Sequence, residues 1–518
     1  MNSKTKIDKP VLTISGGILI IFVLGSLINA NLVSNLVNSS FNFATNYFGS
    51  FWQVLMLVTF LVTLGMTFSK LGNVRLGKLN TPEMSSFRWI AIIMCTLLAG
   101  GGVFWAAAEP IYHFISVPPV NKGITASTKE AIIPALSQSF MHWGFLAWAI
   151  LGTLSSVVLM YGHYHKGMPL KPRTLLYPIF GEKITKKSIL GTSVDVFSII
   201  AVAAGTIGPI GFLGLQAAYG LECLFGIPNT YTTQALIILF LVSIAAISAA
   251  SGIDKGIQIL SRFNIILTFI LVILMIFIGP ARFIFDSFLG SISVYIENFL
   301  KMSLYRGDPK WLSHWTVFFW GWFIGYAPMM AIFISRISRG RTIRELFIAV
   351  SVIAPLVTNF WFTVIGGSGI SFELNNPGCI SNALNNSGMP AAMIAITNQL
   401  PMSTLMASAF LFVTVSFVAT TVDSMAYTIS MAITGSDSPS KSLRVFWALI
   451  MGFVAAVLIS LGEGSVNSLQ SFIIVTAIPV SIIILPTVWL APKVAKELAY
   501  EQDILNNYNY EYKEKRAS

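Results

Sequence analysis

Long apolar runs separated by short polar segments recur along the whole chain. An α-helix needs about 20 residues to cross a ~30 Å hydrocarbon core, and each run reaches or approaches that length. The pattern predicts twelve transmembrane helices, at 11–31, 51–69, 88–107, 139–162, 192–220, 232–250, 263–285, 313–334, 346–370, 403–432, 443–461 and 467–491. Several runs exceed 25 residues, which indicates tilted or interrupted helices. The predicted class is therefore an all-α integral membrane protein.

Two features divide the chain into halves. Residues 286–304 are amphipathic and too polar to span, so they predict a helix lying in the membrane interface. Glycine or proline interrupts the third run at 99–102 and the eighth at 321–328. Paired interruptions five runs apart indicate broken helices around a midplane binding site. The alternative is that these glycines only permit close helix packing.

Composition and charge agree with the membrane interpretation. The 518 residues are 55% hydrophobic and only 10% charged, with a net charge of +11. The 32 Lys and Arg residues divide 26 to 6 between the two predicted sides, which places both termini, 1–10 and 493–518, in the cytoplasm. Because the basic residues border the spans, nucleic-acid binding is not needed to explain them. The three cysteines and five histidines show no disulfide or metal-ligand spacing.

Aromatic side chains lie unusually deep in two predicted spans. They are Trp143 and Trp148 in the fourth run, and Trp320, Trp322, Phe323 and Tyr326 in the eighth. A cation without N–H donors must be bound by ring faces, at ~0.5–2 kcal/mol per desolvated ring. Plain aromatic packing is the alternative. Trp315, near the start of its run, is interpreted as an interfacial anchor.

The tenth run contains a polar cluster in an otherwise apolar helix. Thr420, Thr421 and Asp423 offer the oxygen atoms that a dehydrated sodium ion requires, and an intramembrane carboxylate is a functional candidate. Alternatively, the hydroxyls bond back to their own helix and Asp423 pairs with a neighbour.

Several motifs together resemble one transporter family. They are 315–322, Trp-Thr-Val-Phe-Phe-Trp-Gly-Trp; the basic segment 334–345; 255–261, Lys-Gly-Ile-Gln-Ile-Leu-Ser; and the Glu-Pro pair at 109–110. The chain resembles the betaine/choline/carnitine transporter (BCCT) family. The resemblance implies a LeuT-like fold, with two leading helices (11–87) and two inverted five-helix repeats (88–285 and 313–492) flanking the interfacial helix.

The resemblance also implies a central substrate site. By position, the six aromatic residues and the glycines Gly100 and Gly101 are the substrate-binding candidates. Leu151 stands where a tyrosine is common in the family, and Phe323 and Tyr326 stand where tryptophans are common. Tyr326 is similar to carnitine-type members. Glycine betaine, choline and carnitine therefore remain open as substrates.

Coupling is inferred from the same resemblance. The ion-binding candidates are Thr420, Thr421, Asn264 and Thr206. A neutral Asn264, where sodium-independent exchangers carry arginine, favours sodium, whereas Met330 matches those exchangers. Gly101 stands where proton-driven choline carriers have an acid. Sodium is the only metal ion expected, and no cofactor is expected.

The predicted function is sodium-coupled import of a quaternary ammonium solute across the plasma membrane by alternating access. Arg336, Arg339 and Arg341 are candidates for an inner gate, or for plain positive-inside charge. The open alternatives are sodium-independent exchange, proton-coupled choline uptake and a membrane sensor that does not translocate. The sequence carries no catalytic dyad that would indicate an enzyme, and the family resemblance suggests a homotrimer.

Overall fold

The computed structural model describes residues 7–186, 188–251, 256–436, 439–462 and 466–505, and of residues 95–100, 251 and 256–262 it describes the backbone alone. Within these ranges the chain forms helices and no named β-strand. The helices of the first half are α1 (Lys9–Ile28), α2 (Ala30–Phe68), α3 (Ser86–Ile115), α4 (Ile132–Trp143), α5 (Phe145–Gly152), α6 (Leu154–Met160), α7 (Tyr177–Phe180), α8 (Ile189–Phe225), α9 (Tyr231–Ser251), α10 (Gly256–Ile278) and α11 (Ala281–Glu297). Those of the second half are α12 (Phe299–Ser303), α13 (Pro309–His314), α14 (Thr316–Ile337), α15 (Ile343–Ile348), α16 (Ala354–Phe362), α17 (Ser368–Asn375), α18 (Ser381–Ser387), α19 (Ala392–Thr397), α20 (Ser403–Thr434), α21 (Lys441–Leu461), α22 (Asn467–Ile484) and α23 (Thr487–Glu501).

Most of the long helices could cross a membrane. In the described part of the chain, ten helical segments are long and apolar enough, and the bent pair α10–α11 makes an eleventh if it is one span. Helix α3 has 30 residues but includes the undescribed side chains 95–100, and it is not in that count. The predicted all-helical, multi-pass membrane class is confirmed. The number twelve and the inverted-repeat layout stay predictions.

The chain turns sharply between α10 and α11, by 107°. Gly279 and Pro280 lie at the bend, and proline cannot supply the N–H that would continue the first helix. The predicted seventh span, 263–285, therefore ends at Ile278, and the helix predicted over 286–304 begins earlier, at Ala281. That helix packs along α4, where the Ser137 hydroxyl donates to the Ser291 carbonyl at 3.1 Å.

The predicted helix breaks lie elsewhere in the structure. Helices α3 and α14 run continuously through 99–102 and 321–328, so the expected interruption of these two spans is wrong. The fourth span is broken instead, into α4, α5 and α6, at Gly144 and Thr153. A Cβ at residue 144 would overlap the Phe140 carbonyl and lie 2.8 Å from the Tyr295 hydroxyl. Only glycine fits there, and the freed Phe145 N–H donates to Tyr295 at 3.2 Å.

A charged network ties the amino-terminal segment to two distant parts of the chain. The Asp8 carboxylate binds Lys171 at 2.9 Å and Arg173 at 3.1 Å, and the Asp8 N–H donates to the Ile433 carbonyl at the end of α20. Arg173 also binds the buried Asp195 of α8 at 2.6 Å. Burial alone would raise the pKa of Asp8, but the two cations outweigh it and lower that pKa below its ordinary value.

Candidate functional site

Three aromatic residues predicted as substrate ligands pack against one another, and we call Trp143, Trp322 and Phe323 the ring cluster. Trp322 and Phe323 lie nearly parallel, with centroids 5.9 Å apart and planes inclined by 8°. Trp143 meets both edge-on, at 6.0 Å from Trp322 and 5.2 Å from Phe323. Each of the three is at most 7% exposed. The cluster joins α4 to α14 and offers an apolar, ring-lined environment.

Gly101 of α3 lies directly against the ring cluster. A Cβ at this position would be 2.6 Å from Trp322 Cη2 and 2.8 Å from Trp143 Cη2. The bare backbone is therefore what allows α3 to approach the two indoles. Gly100, predicted beside it, is helical, but its surroundings lie outside the described residues.

Hydrogen bonds connect Trp322 of the ring cluster, and the nearby Tyr326, to α8. The Trp322 indole N–H donates to the Gly205 carbonyl at 3.1 Å. The Thr206 hydroxyl donates to the Val202 carbonyl at 2.7 Å, so it accepts from the Tyr326 hydroxyl, 2.8 Å away. Thr206, predicted as an ion ligand, thus lies beside the aromatic residues. No hydrogen bond found in the described chain joins it to Thr420, Thr421 or Asn264.

Two further predicted ring ligands, Trp148 and Trp320, are not in the ring cluster. The Trp148 indole donates to the Thr358 hydroxyl of α16 at 3.1 Å, beyond the break at Gly144. Trp320 is fully buried, and its indole nitrogen has no hydrogen-bond partner among the described residues. At about 100° per residue, Trp320 points to a different side of α14 from Trp322.

Sequence reasoning missed the polar partners of the ring cluster. The buried Glu109 accepts the Trp143 indole N–H at 2.8 Å, and His142 Nδ1 lies 2.6 Å from the other carboxylate oxygen. The signal available in the sequence was a carboxylate and a histidine within apolar runs. No rule based on the spacing of residues along the chain relates Glu109 to His142, because they are 33 positions apart. Phe319 and Phe362, which also pack on Trp143 at 5.3 and 5.2 Å, had no distinguishing signal at all.

Two of the predicted ion ligands, Asn264 of α10 and Thr420 of α20, contact each other. The Asn264 amide donates to the Thr420 hydroxyl at 3.3 Å. Asn264 Oδ1 and Thr421 Oγ1 are buried and have no hydrogen-bond partner in the described structure. Two unpaired oxygens of this kind suit a dehydrated cation. Asp423, by contrast, is paired with Arg444 at 2.7 Å, as the alternative interpretation expected.

The three predicted gate arginines make different contacts. Arg339 binds Glu83 at 2.8 Å, so it joins the segment after α14 to the segment after α2. Arg341 donates to the Met84 carbonyl at 2.7 Å, and Arg336 donates to the Tyr427 hydroxyl on α20. Of the three contacts, only the one between Arg339 and Glu83 is an ion pair between distant segments.

A cavity of about 390 Å³ opens beyond the ring cluster, and we call it the end cavity. Its wall includes Trp311 and Trp315 together with Asp308 and His314. Trp315 was interpreted as an interfacial anchor, but it is 5% exposed and packs on Tyr112 at 4.8 Å. It therefore belongs to a buried aromatic layer that separates the end cavity from the interior.

The similarity of this chain to known proteins extends over almost its whole length. The model of the betaine/carnitine/choline family transporters matches residues 10–500. "Glycine betaine transporter 2" of Vibrio parahaemolyticus is 54% identical over 502 residues, covering 97% of this chain and 93% of that protein. "Glycine betaine transporter OpuD" of Bacillus subtilis is 34% identical over 82% of this chain and 81% of its own length. The "Ectoine/hydroxyectoine transporter" of Virgibacillus pantothenticus is 31% identical over 81% of this chain and 83% of its own.

These matches agree with the motifs and with the multi-pass helical structure, and they indicate a transporter rather than an enzyme. The chain belongs to the betaine/carnitine/choline transporter family.

Proposed function

We propose that this protein imports glycine betaine, or a closely similar quaternary ammonium solute, together with sodium, by alternating access. The observation that carries the proposal is the ring cluster, in which Trp143, Trp322 and Phe323 present aromatic surface to one another, with no lysine or arginine of the described chain over their rings. A methylated ammonium group has no N–H to donate, so ring faces are its main source of binding energy, at ~0.5–2 kcal/mol each. Two relatives whose printed names specify glycine betaine support this choice over choline or carnitine.

The unpaired oxygens of Asn264 and Thr421 support sodium as the coupling ion. They lie on α10 and α20, and α20 packs against α8, whose Thr206 and Gly205 bind Tyr326 and Trp322. An ion held between α10 and α20 would thus act on the ring cluster through α8. Gating by Arg339 and Glu83, a homotrimeric assembly and cytoplasmic termini are further parts of the proposal.

Uptake of radiolabelled glycine betaine into proteoliposomes tests the proposal. We expect accumulation that requires an inward sodium gradient, and a loss of at least tenfold in Trp322→Ala. Trp489→Ala is the matched control, because Trp489 is 52% exposed on α23 and should leave uptake unchanged. Absence of uptake with sodium, or uptake indifferent to Trp322, would refute the proposal. Substrate exchange that persists in preloaded vesicles without sodium would refute the coupling alone.

A further inference from the structure

Glu109 of α3 is a buried carboxylate with no lysine or arginine bound to it in the described part of the chain. Its side chain is fully buried, and the titratable groups that lie beside it among the described residues are the imidazoles of His142, at 2.6 Å, and His113, at 3.4 Å. The buried Asp195 and Asp423, by contrast, each bind an arginine. An uncompensated buried charge costs roughly several kcal/mol, so a carboxylate in this position calls for a cation or a proton.

The two histidines and the carboxylate form a compact set of ligand atoms. Glu109 Oε2 accepts from Trp143, while Oε1 lies 2.6 Å from His142 Nδ1 and 3.4 Å from His113 Nε2. One nitrogen of each histidine and one carboxylate oxygen all lie within 4.8 Å of one another. Residues four apart lie on the same face of a helix, which places Glu109 and His113 together on α3. Two histidines with one carboxylate form a ligand set that binds zinc in other proteins.

The surroundings of His113 indicate independently that these three side chains bind a ligand. Its side chain is fully buried, and neither ring nitrogen has a hydrogen-bond partner in the described part of the protein. The ring packs on Trp315 at 4.4 Å, and Nε2 faces Glu109. Leaving a buried donor or acceptor unpaired costs about 1–3 kcal/mol, and a metal ion on Nε2 would remove that cost for one of the two ring nitrogens.

The surroundings of His142 provide the outer contacts that a metal-bound histidine needs. With a metal ion on Nδ1, the proton must lie on Nε2, and Thr316 Oγ1 accepts it at 2.9 Å. Gln138 places its amide nitrogen 3.0 Å from Nε2, while its Oε1 has no partner among the described residues. Rotation of the amide would bring that oxygen onto the same proton.

We propose that Glu109, His113 and His142 bind one divalent transition-metal ion of the zinc, cobalt or nickel class, entering from the end cavity. Trp311 and Trp315 line that cavity and also pack on His113, at 5.7 and 4.4 Å. A layer of aromatic side chains thus separates the end cavity from the ligand atoms. Binding displaces the proton shared between His142 and Glu109, so affinity falls as the pH is lowered.

Cobalt titration of the purified full-length protein tests this proposal independently of transport. The protein carries no polyhistidine tag and is treated with a chelator before Co²⁺ is added. We expect one Co²⁺ per chain, with the intense visible absorption of a low-coordinate ion, and stoichiometric displacement by Zn²⁺. His113→Phe keeps the aromatic packing on Trp315 but removes one ligand, so it should weaken binding by roughly tenfold or more. His314→Phe is the control, since His314 lines the end cavity without joining the set, and it should bind as wild type does.

Equal Co²⁺ affinity in wild type and His113→Phe would overturn the proposal, as would an equal loss in His314→Phe. If His113→Phe does not elute as a folded protein, the wild-type spectrum alone decides. A weak, six-coordinate cobalt spectrum, or no saturable binding up to about 1 mM, would show that only a proton compensates Glu109.

Discussion

Replacing Gly101 by alanine tests whether the ring cluster binds the substrate. The new methyl group would be 2.6 Å from Trp322 and 2.8 Å from Trp143, too close for either indole to keep its place. Neither can move freely, because Trp143 is bonded to Glu109 and Trp322 to the Gly205 carbonyl. Overpacking of this kind costs about 1–3 kcal/mol. If the cost falls on the bound state, the dissociation constant for glycine betaine rises about 5- to 150-fold.

The measurement is binding of glycine betaine by tryptophan fluorescence, paired with uptake into proteoliposomes. Gly325→Ala is the matched control, because its Cβ would lie 3.6 Å from Ala201 and 4.0 Å from Ala477, which is ordinary contact. Both substitutions give a helical glycine the same gain in helix propensity. A Gly101→Ala protein that binds within twofold of wild type would refute the assignment of the ring cluster as the substrate site.

Three further predictions concern the ion ligands, the inner contact and a buried ion pair. Thr421→Val should raise the sodium concentration for half-maximal uptake by roughly tenfold, because it removes an unpaired oxygen of the proposed ion site. Thr428→Val is the control and should not change that concentration, since the Thr428 hydroxyl bonds to its own helix. Equal responses of the two variants would contradict the ion site. Glu83→Gln and Arg339→Gln should change the uptake rate non-additively, with a coupling of about 0.2–1 kcal/mol in a double-mutant cycle, and additive effects would exclude a shared gate contact. Asp195→Asn removes one of the two carboxylates that bind Arg173 and leaves that arginine paired with Asp8 alone. The thermal midpoint should therefore fall, by less than the cost of about 3–5 kcal/mol for breaking an isolated buried pair; an unchanged midpoint would show that the pair is dispensable.

The positions of the long apolar helices were predicted well from the sequence, but the positions of the interruptions within them were not. The eighth run, predicted over 313–334, is helical over Thr316–Ile337, because a long apolar stretch in lipid must satisfy its backbone within a helix. The break at Gly144 was not predictable, since it depends on Tyr295, which lies 151 positions away and accepts the freed N–H next to it. The glycines at 100–102 gave a misleading signal, because Gly101 allows close approach of two indoles and does not end a helix.

Residue identity predicted the candidate site better than it predicted the contacts within it. Trp143 and Trp322 were recognisable from their depth in apolar runs, and they do meet. Trp320 could not be separated from Trp322 without knowing which side of α14 faces α4. The pairing of Glu109 with His142 depends on the approach of two helices, and a rule based on metal-ligand spacing along the chain does not detect it.

The contacts of Asp8 have a practical consequence for handling the protein. Its N–H binds the end of α20 and its carboxylate binds the segment before α8, so this single residue acts as a clasp between elements that are distant in sequence. The lowered pKa of Asp8 means that the clasp contributes stability at neutral pH and loses it as acid protonates the carboxylate. An affinity tag fused close to this residue would compete with the clasp, and a long spacer or a carboxy-terminal tag would leave it intact.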